Sequence, residues 1–360
     1  MQVLNSLNYK GAFEVQEEII PLALKGKNIV FTSRTGSGKT LAYSIAFLGQ
    51  INIRLGIQMA VIVPTRELCI QVGKELRKLC EPLGFNVGML YGGREFVGDY
   101  KTISRKNHVM VGTPGRLIQH INNTRVNNSR RVKMGEVKLL VFDESDQMFD
   151  DGFYDDCVYI KKRVSKNAQI ILASATITEK VNKFIENEII DYELLKIGDL
   201  IPKNIVQEKL YCDKLEKNAV LLNLFSKKRF KRAMIFCNTK QKSYNISEFL
   251  LTNKLNAKSL NSDLTQEERQ NHLNLFKDGK IRILVTTDVA ARGLQIENVD
   301  IVVNYDVPTR DEFYIHRIGR TGRIDEKGYS LTLICPEDVN RFYNIEFEYE
   351  LKVATVAKAQ

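Results

Sequence analysis

The stretch Ser33-Arg34-Thr35-Gly36-Ser37-Gly38-Lys39-Thr40 constrains this chain more than any other. An apolar run, Asn28-Ile29-Val30-Phe31, precedes it and reads as a short buried strand. Leu41-Ala42-Tyr43-Ser44-Ile45-Ala46-Phe47-Leu48 follows and reads as a helix. Strand, glycine-bearing loop, Lys, Thr and helix form the context of a phosphate-binding loop. Gly36 and Gly38 lack a Cβ, so the backbone can curl and turn its N–H groups inward. Lys39 supplies a point charge for β and γ phosphates, the Thr40 hydroxyl suits Mg²⁺, and the helix N-terminus adds partial positive charge. Ser33 stands where the usual pattern has its first glycine.

A chain of 360 residues exceeds the size at which one hydrophobic core keeps growing, so two domains are expected. No apolar run approaches the ~20 residues of a membrane span. The opening residues lack a basic segment followed by an apolar one, so no secretory signal is read there. Six cysteines (Cys69, Cys80, Cys157, Cys212, Cys237, Cys335) are scattered without a C-x-x-C pair. That spacing argues against a zinc site or a disulfide framework and fits a reducing intracellular compartment. A net charge of +10 favours a polyanionic partner.

Met1 to Lys25 looks helical and amphipathic, with Pro21 near the start of a second helix, and it carries Gln16. Three apolar runs of strand length then end in loops rich in Thr, Gly and Arg. Met59–Val63 ends at Pro64-Thr65-Arg66-Glu67, Val87–Tyr91 at Gly92-Gly93-Arg94, and His108–Val111 at Gly112-Thr113-Pro114-Gly115-Arg116. Strands alternating with helices imply a parallel sheet, which binds ligands at the C-terminal ends of its strands. Hydroxyls, exposed glycine N–H groups and Arg are what the phosphates of a nucleic acid would meet. Residues 122 to 132, rich in Asn and Arg, read as an exposed loop. The apolar strand Val137–Phe142 ends in Asp143-Glu144-Ser145-Asp146. There an ATPase would hold Mg²⁺ with Asp143 and orient and deprotonate water with Glu144. A capping cluster for the next helix is an alternative for Asp146, but it does not explain two acids directly after an apolar strand. Gln169–Ala173 ends at Ser174-Ala175-Thr176, two hydroxyls able to relay between sites.

Asp191 to Gln207 shows little periodicity, and a linker is placed at residues 196–206. The α/β alternation then restarts, with strands ending at Cys237-Asn238-Thr239, Thr286-Thr287-Asp288 and Asn304-Tyr305-Asp306. This half has no phosphate loop but carries His316-Arg317-Ile318-Gly319-Arg320-Thr321-Gly322-Arg323. Arg320 and Arg323, three apart, would project together and could clamp a phosphoryl group.

Assembled in this order, the motifs resemble the DEAD-box ATP-dependent RNA helicases of superfamily 2 over nearly the whole chain. The resemblance implies an α/β protein of two tandem RecA-like domains, each a mostly parallel sheet flanked by helices, with ATP between them. The domains would be residues 1–195 and 207–360. It implies that Gln16 reads adenine, that Thr35, Gly36, Ser37, Gly38, Lys39 and Thr40 hold phosphate, and that Thr40 and Asp143 hold Mg²⁺. Glu144 would activate water, Arg320 and Arg323 would be arginine fingers, and Ser174, Thr176 and His316 would couple the sites. RNA-backbone contacts would come from Pro64, Thr65, Arg66, Gly92, Gly93, Thr113, Pro114, Gly115 and Arg116. In the second domain they would come from Asn238, Thr239, Gln266, Arg269, Thr286 and Thr287. Asp288 would serve ATP, and Arg292 the RNA, from a motif facing both.

The sequence also departs from the family. Ser145 replaces Ala, Ala12-Phe13 replaces Pro-Thr near Gln16, Asn261-Ser262-Asp263 replaces His-Gly-Asp, and Gln295 replaces a ribose-contacting Asp. The chain starts too late to carry the upstream adenine-stacking aromatic. The resemblance implies a monomeric, RNA-stimulated ATPase that separates short duplexes or strips proteins from RNA with little sequence preference. Protein partners would supply targeting. Two alternatives stand beside it: an ATP-gated RNA clamp with little turnover, and a DNA helicase or translocase of the same superfamily.

Overall fold

The computed structural model describes residues 7, 9, 11–34, 36–93, 95–123, 131–199, 201, 204–291, 294, 296, 299–322 and 327–357. The chain divides into two compact units, Met1–Asp199 and Leu200–Gln360. Among the described residues each unit is built on a seven-stranded sheet in which every pairing is parallel.

The first unit holds β1 (Asn28–Thr32), β2 (Met59–Ile62), β3 (Val87–Leu90), β4 (Val109–Gly112), β5 (Leu139–Phe142), β6 (Gln169–Ser174) and β7 (Tyr192–Lys196). Their order is β3-β4-β2-β5-β6-β1-β7. Most are short continuous apolar runs because helices cover both faces of a parallel sheet. Successive residues feed opposite cores: Ile29 and Phe31 pack in one, Val30 in the other, and Val61 lies opposite Ala60 and Ile62. This order brings the ends of β5, β6 and β1 side by side, and likewise the ends of β3, β4 and β2.

The second unit repeats the plan with β8 (Ile205–Tyr211), β9 (Ala233–Phe236), β10 (Ala257–Leu260), β11 (Ile283–Thr286), β12 (Ile301–Asn304), β13 (Gly328–Ile334) and β14 (Ala354–Thr355). Their order is β10-β11-β9-β12-β13-β8-β14. Position for position, β8 stands where β1 does and β12 where β5 does.

Two expectations need correcting. Pro21 does not open a second helix; it lies inside one helix, Glu14–Leu24. The stretch 191–207, read as irregular, holds β7 and the start of β8. Tyr192 and Leu194 on β7 are exposed, so this edge strand lacks the buried apolar run that marks central strands.

Candidate functional site

The loop after β1 has the backbone its glycines imply. Gly36 and Gly38 take φ of 78° and 90°, left-handed values that a side chain would resist. A Cβ on Gly38 would also lie 2.5 Å from Gln16 Nε2 and 3.1 Å from the Phe13 ring. Gln16 is buried on helix Glu14–Leu24, donates to the Gly38 carbonyl at 3.4 Å and accepts from the Phe13 N–H at 3.0 Å. A distant glutamine is thereby folded against the loop. Ser33 fills the place of the missing glycine with contacts of its own. Its Oγ lies 3.0 Å from Ser37 Oγ, and its carbonyl accepts from Lys39 Nζ at 3.3 Å. Lys39 and Thr40 open helix Lys39–Leu48, with the Lys39 side chain buried.

Two strands away, β5 delivers Asp143 and Glu144 to the same end of the sheet. Lys39 Nζ lies 3.8 Å from Glu144 Oε1. Tyr43 OH donates to Asp143 Oδ2 at 3.0 Å, and the Glu144 N–H donates to Asp143 Oδ1 at 3.0 Å. Burial pushes the Asp143 carboxyl up to about 6; Lys39 pulls it down and Glu144 pushes it further up. Glu144 itself sits at φ 55°, left-handed for a residue with a side chain. Such backbone costs about 1–3 kcal/mol and is found where a site over-determines it.

Between them, β6 ends in Ser174. Asp146 Oδ2 accepts from the N–H groups of Ala175 and Thr176 at 3.2 and 2.9 Å and from Thr176 Oγ1 at 2.9 Å. Ser174 Oγ accepts from the Asp146 N–H at 3.2 Å and donates to the Thr176 carbonyl at 2.7 Å. Asp146 is therefore the tie between the two motifs and not a simple helix cap.

The three Thr/Gly/Arg loops follow β2, β3 and β4, which are neighbours. Thr65 caps helix Arg66–Cys80 by accepting from the Leu68 N–H. Arg66 reaches across to the Gly93 carbonyl at 3.3 Å and lies over the Tyr91 ring. Gly92 is exposed, while Thr113 stands at the N-cap position of helix Pro114–Ile121 without a side-chain capping bond, and the first turn of that helix holds Gly115 and Arg116. Pro64 and Pro114 are buried.

In the second unit β9, β11 and β10 are neighbours in the same way. Thr239 caps helix Lys240–Thr252, and Gln266 opens helix Gln266–Lys277 behind a Thr265–Glu268 capping box. Arg269 donates to the Ala290 carbonyl at 2.8 Å, and Thr286 and Thr287 are buried at the end of β11. Asp288, expected to face ATP, holds Arg317 through both oxygens at 2.6 and 2.7 Å. Arg317 is 1% exposed and also donates to Asn238 Oδ1, Asn304 Oδ1 and the Asp306 carbonyl. His316 and Arg320 flank it, with Arg320 donating to the His316 and Leu294 carbonyls. Thr35, Arg292, Gln295 and Arg323 lie outside the described residues.

Sequence reasoning passed over Tyr43 and Arg317 and offered Asp146 only as a helix cap. Tyr43 looked like one more apolar helix residue, and only the packing of its hydroxyl on Asp143 distinguishes it. Arg317 carried a signal: it is an Arg between Ile315 and Ile318 on a helix whose neighbours Tyr314 and Phe313 are also buried.

A family model described as DEAD/DEAH box helicase matches residues 13–184, and one described as Helicase conserved C-terminal domain matches residues 216–325. The DEAD-box ATP-dependent RNA helicase CshA of Bacillus subtilis is 36% identical over 349 residues, which is 96% of this chain and 69% of that protein. The protein of the same name from Bacillus cereus is 35% identical over 349 residues, 96% of this chain and 65% of that one. The chain thus spans slightly under two-thirds of the length of several relatives it matches. S. cerevisiae Dbp5 bound to RNA and ADP BeF3 superposes with a TM-score of 0.85 at 26% identity, over 99% of this chain and 92% of that one.

Proposed function

The chain belongs to the DEAD-box helicase family, and from that membership we propose that it couples RNA-stimulated ATP hydrolysis to local unwinding of RNA duplexes or remodelling of RNA–protein complexes. The two domains would correspond to the units Met1–Asp199 and Leu200–Gln360, and the linker expected at 196–206 takes in the last residue of β7 and the first two of β8. Asp143-Glu144-Ser145-Asp146 serves as the signature tetrad, and the hydroxyl that Ser145 adds is buried.

One observation supports this reading best: Lys39, Asp143 and Glu144 share one end of the first sheet, with Lys39 3.8 Å from Glu144. Lys39 answers the Glu144 charge. Phosphates cradled by Thr35, Gly36, Ser37 and Gly38 would take the Lys39 ammonium and leave Glu144 to orient and deprotonate water. Gln16, held against Gly38, would read adenine. Mg²⁺ fits the donor set, because Asp143 is a buried carboxylate whose ionised form is under-compensated, and Asp143 and Thr40 offer hard oxygens. Bound there, the ion would neutralise charge on the phosphates. Arg320 and Arg323 would add positive charge at the γ-phosphate. Asp146, Ser174, Thr176 and His316 would transmit nucleotide state.

Pro64, Thr65, Arg66, Gly92, Gly93 and Thr113 to Arg116 would track the RNA backbone, with Asn238, Thr239, Gln266, Arg269, Thr286, Thr287 and Arg292 doing so in the second domain. Contacts to phosphate and 2′-OH carry little sequence information. The active species would be a monomer, with protein partners supplying targeting.

ATPase rates measured side by side with RNA, with DNA and without nucleic acid test the proposal. Strong stimulation by RNA alone is expected. Equal stimulation by DNA would reassign the substrate, and RNA binding without turnover would leave a clamp.

A further inference from the structure

Beside the first unit's loops lies a cluster to which no role has been given. Asp99 ends the short 3-10 turn Phe96–Asp99 that follows Gly92-Gly93, and its side chain is wholly buried. One oxygen, Asp99 Oδ2, accepts from Arg116 Nε at 2.6 Å and from His120 Nε2 at 2.8 Å. Arg116 and His120 are four residues apart on helix Pro114–Ile121, so they stack one turn above the other and a single carboxylate holds both. The His120 ring lies on Phe96 with centroids 4.1 Å apart and an interplanar angle of 14°. The Arg116 guanidinium lies 4.9 Å from the same centroid. His120 Nδ1 is buried without a hydrogen-bond partner. The contact with Asp99 Oδ2 requires an N–H on Nε2. Arg116 gives the Asp99 carboxylate a permanent counter-charge.

Arg116 is only 10% exposed, and Gln119 Oε1 accepts from its NH1 at 3.3 Å. Its guanidinium is thus oriented before any ligand arrives. A free arginine would have to surrender its rotamer freedom on meeting a phosphate; a fork already fixed does not.

We propose that Asp99 is a positioning residue for RNA binding: it orients Arg116 and ties the Gly92–Gly93 loop to the Thr113–Arg116 loop, so that both present to the backbone as one rigid surface. This rests on the reading above in which Arg116 meets RNA. Asp99 itself touches no substrate.

The test uses the full chain with Asp99→Asn, Arg116→Ala and the double variant. The readouts are the RNA KM of the ATPase, kcat at saturating RNA, and ATP affinity without RNA. Asp99→Asn should raise the RNA KM about tenfold, the loss expected when a charged hydrogen bond no longer holds the fork. Its kcat and RNA-free ATP affinity should stay at wild-type values. The double variant should be no weaker than Arg116→Ala, because Asp99 acts through that side chain. A merely structural defect would lower kcat and ATP affinity too, and would add to Arg116→Ala. If Asp99→Asn does not fold, Arg116→Lys carries the same question: it keeps the charge, loses the Nε–H that Asp99 holds, and should show a similar rise. An unchanged KM in Asp99→Asn beside a raised one in Arg116→Ala overturns the positioning role only. A wild-type KM in Arg116→Ala, with RNA still stimulating, removes Arg116 from the RNA path and the proposal with it.

Discussion

Two buried aspartates occupy the same place in the two sheets. Asp143 follows β5 and Asp306 follows β12, and each faces a lysine that opens the helix after the equivalent strand, Lys39 after β1 and Lys217 after β8. Their electrostatics are opposite. Asp143 has its carboxyl pushed up to about 6 by burial, with Lys39 only partly offsetting it. Burial also opposes ionisation of Asp306, but the Asn238 N–H, Lys242 and Lys217 outweigh it and hold its carboxyl below the ordinary value. Lys242 Nζ lies 3.0 Å from both Asp306 oxygens, and Lys217 Nζ lies 3.3 Å from Oδ1.

The loops explain the difference. Before Lys39 the chain curls through Gly36 and Gly38, and the lysine lies against the Ser33 carbonyl and Glu144. Before Lys217, residues 212–216 contain no glycine, and the lysine bonds the Tyr305 carbonyl and Asp306 directly. The cavity there, about 290 Å³, is lined by Lys214, Lys217 and Lys242 together with Asp306, Glu337 and Asp338, so its charges answer one another. One topology thus carries an under-compensated acid at the proposed nucleotide site and a compensated one at the equivalent place in the second unit. Local stability is given up at the first site and secured at the second.

The largest effect that would sharpen this contrast is on turnover. Glu144→Gln keeps the shape beside Asp143 and removes the base, so ATP hydrolysis should fall by roughly 10²–10⁴ while ATP still binds. Wild-type turnover in that variant would mean that the strained acid is not the base.

Next in size is Asp306→Asn. Lys217 is left buried without its counter-charge, which should cost about 3 kcal/mol in the urea transition of the second unit. The folded carboxyl is held low, so its contribution is present above the ordinary aspartate range and is lost as pH falls through the lower, folded value. The gap between wild type and variant should therefore narrow in acid.

Asp143→Asn should act in the opposite direction and by less. In the nucleotide-free protein the unfolded state binds fewer protons than the folded one between the ordinary 3.8 and about 6. Stability contributed through Asp143 is therefore full below that window and falls as pH rises across it. The rise corresponds to roughly 3 kcal/mol at the most. The contacts of Asp143 with Tyr43 and the Glu144 N–H offset part of it, so a gain of about 1–2 kcal/mol is expected at neutral pH. It should shrink toward pH 4, which unfolding curves at several pH values would reveal. If both aspartate variants shift stability the same way at pH 7, the contrast between the units is wrong.

By itself the sequence determined the class of fold and singled out the residues on which the proposed chemistry rests. A phosphate loop needs glycines at set places, buried parallel strands need short apolar runs, and the acids Asp143 and Glu144 stand directly after one of them. Gly36, Gly38, Lys39, Asp143 and Glu144 were legible because each obeys a local rule. So were the central strands, whose neighbours in the sheet cover them on both sides. The edge strand β7 was not, because a strand exposed on one side carries no such run. Tertiary structure decided which groups answer which. Nothing local says that Asp146 ties Ser174 to Thr176, that Arg317 takes Asp288, or that Asp99 holds Arg116. Partners 28 to 30 residues apart for Asp146, 29 for Arg317 and 17 for Arg116 meet only when the strands take their order. Whether a buried charge is poised or satisfied depends on that meeting, because burial penalises every charge alike and only the neighbours differ.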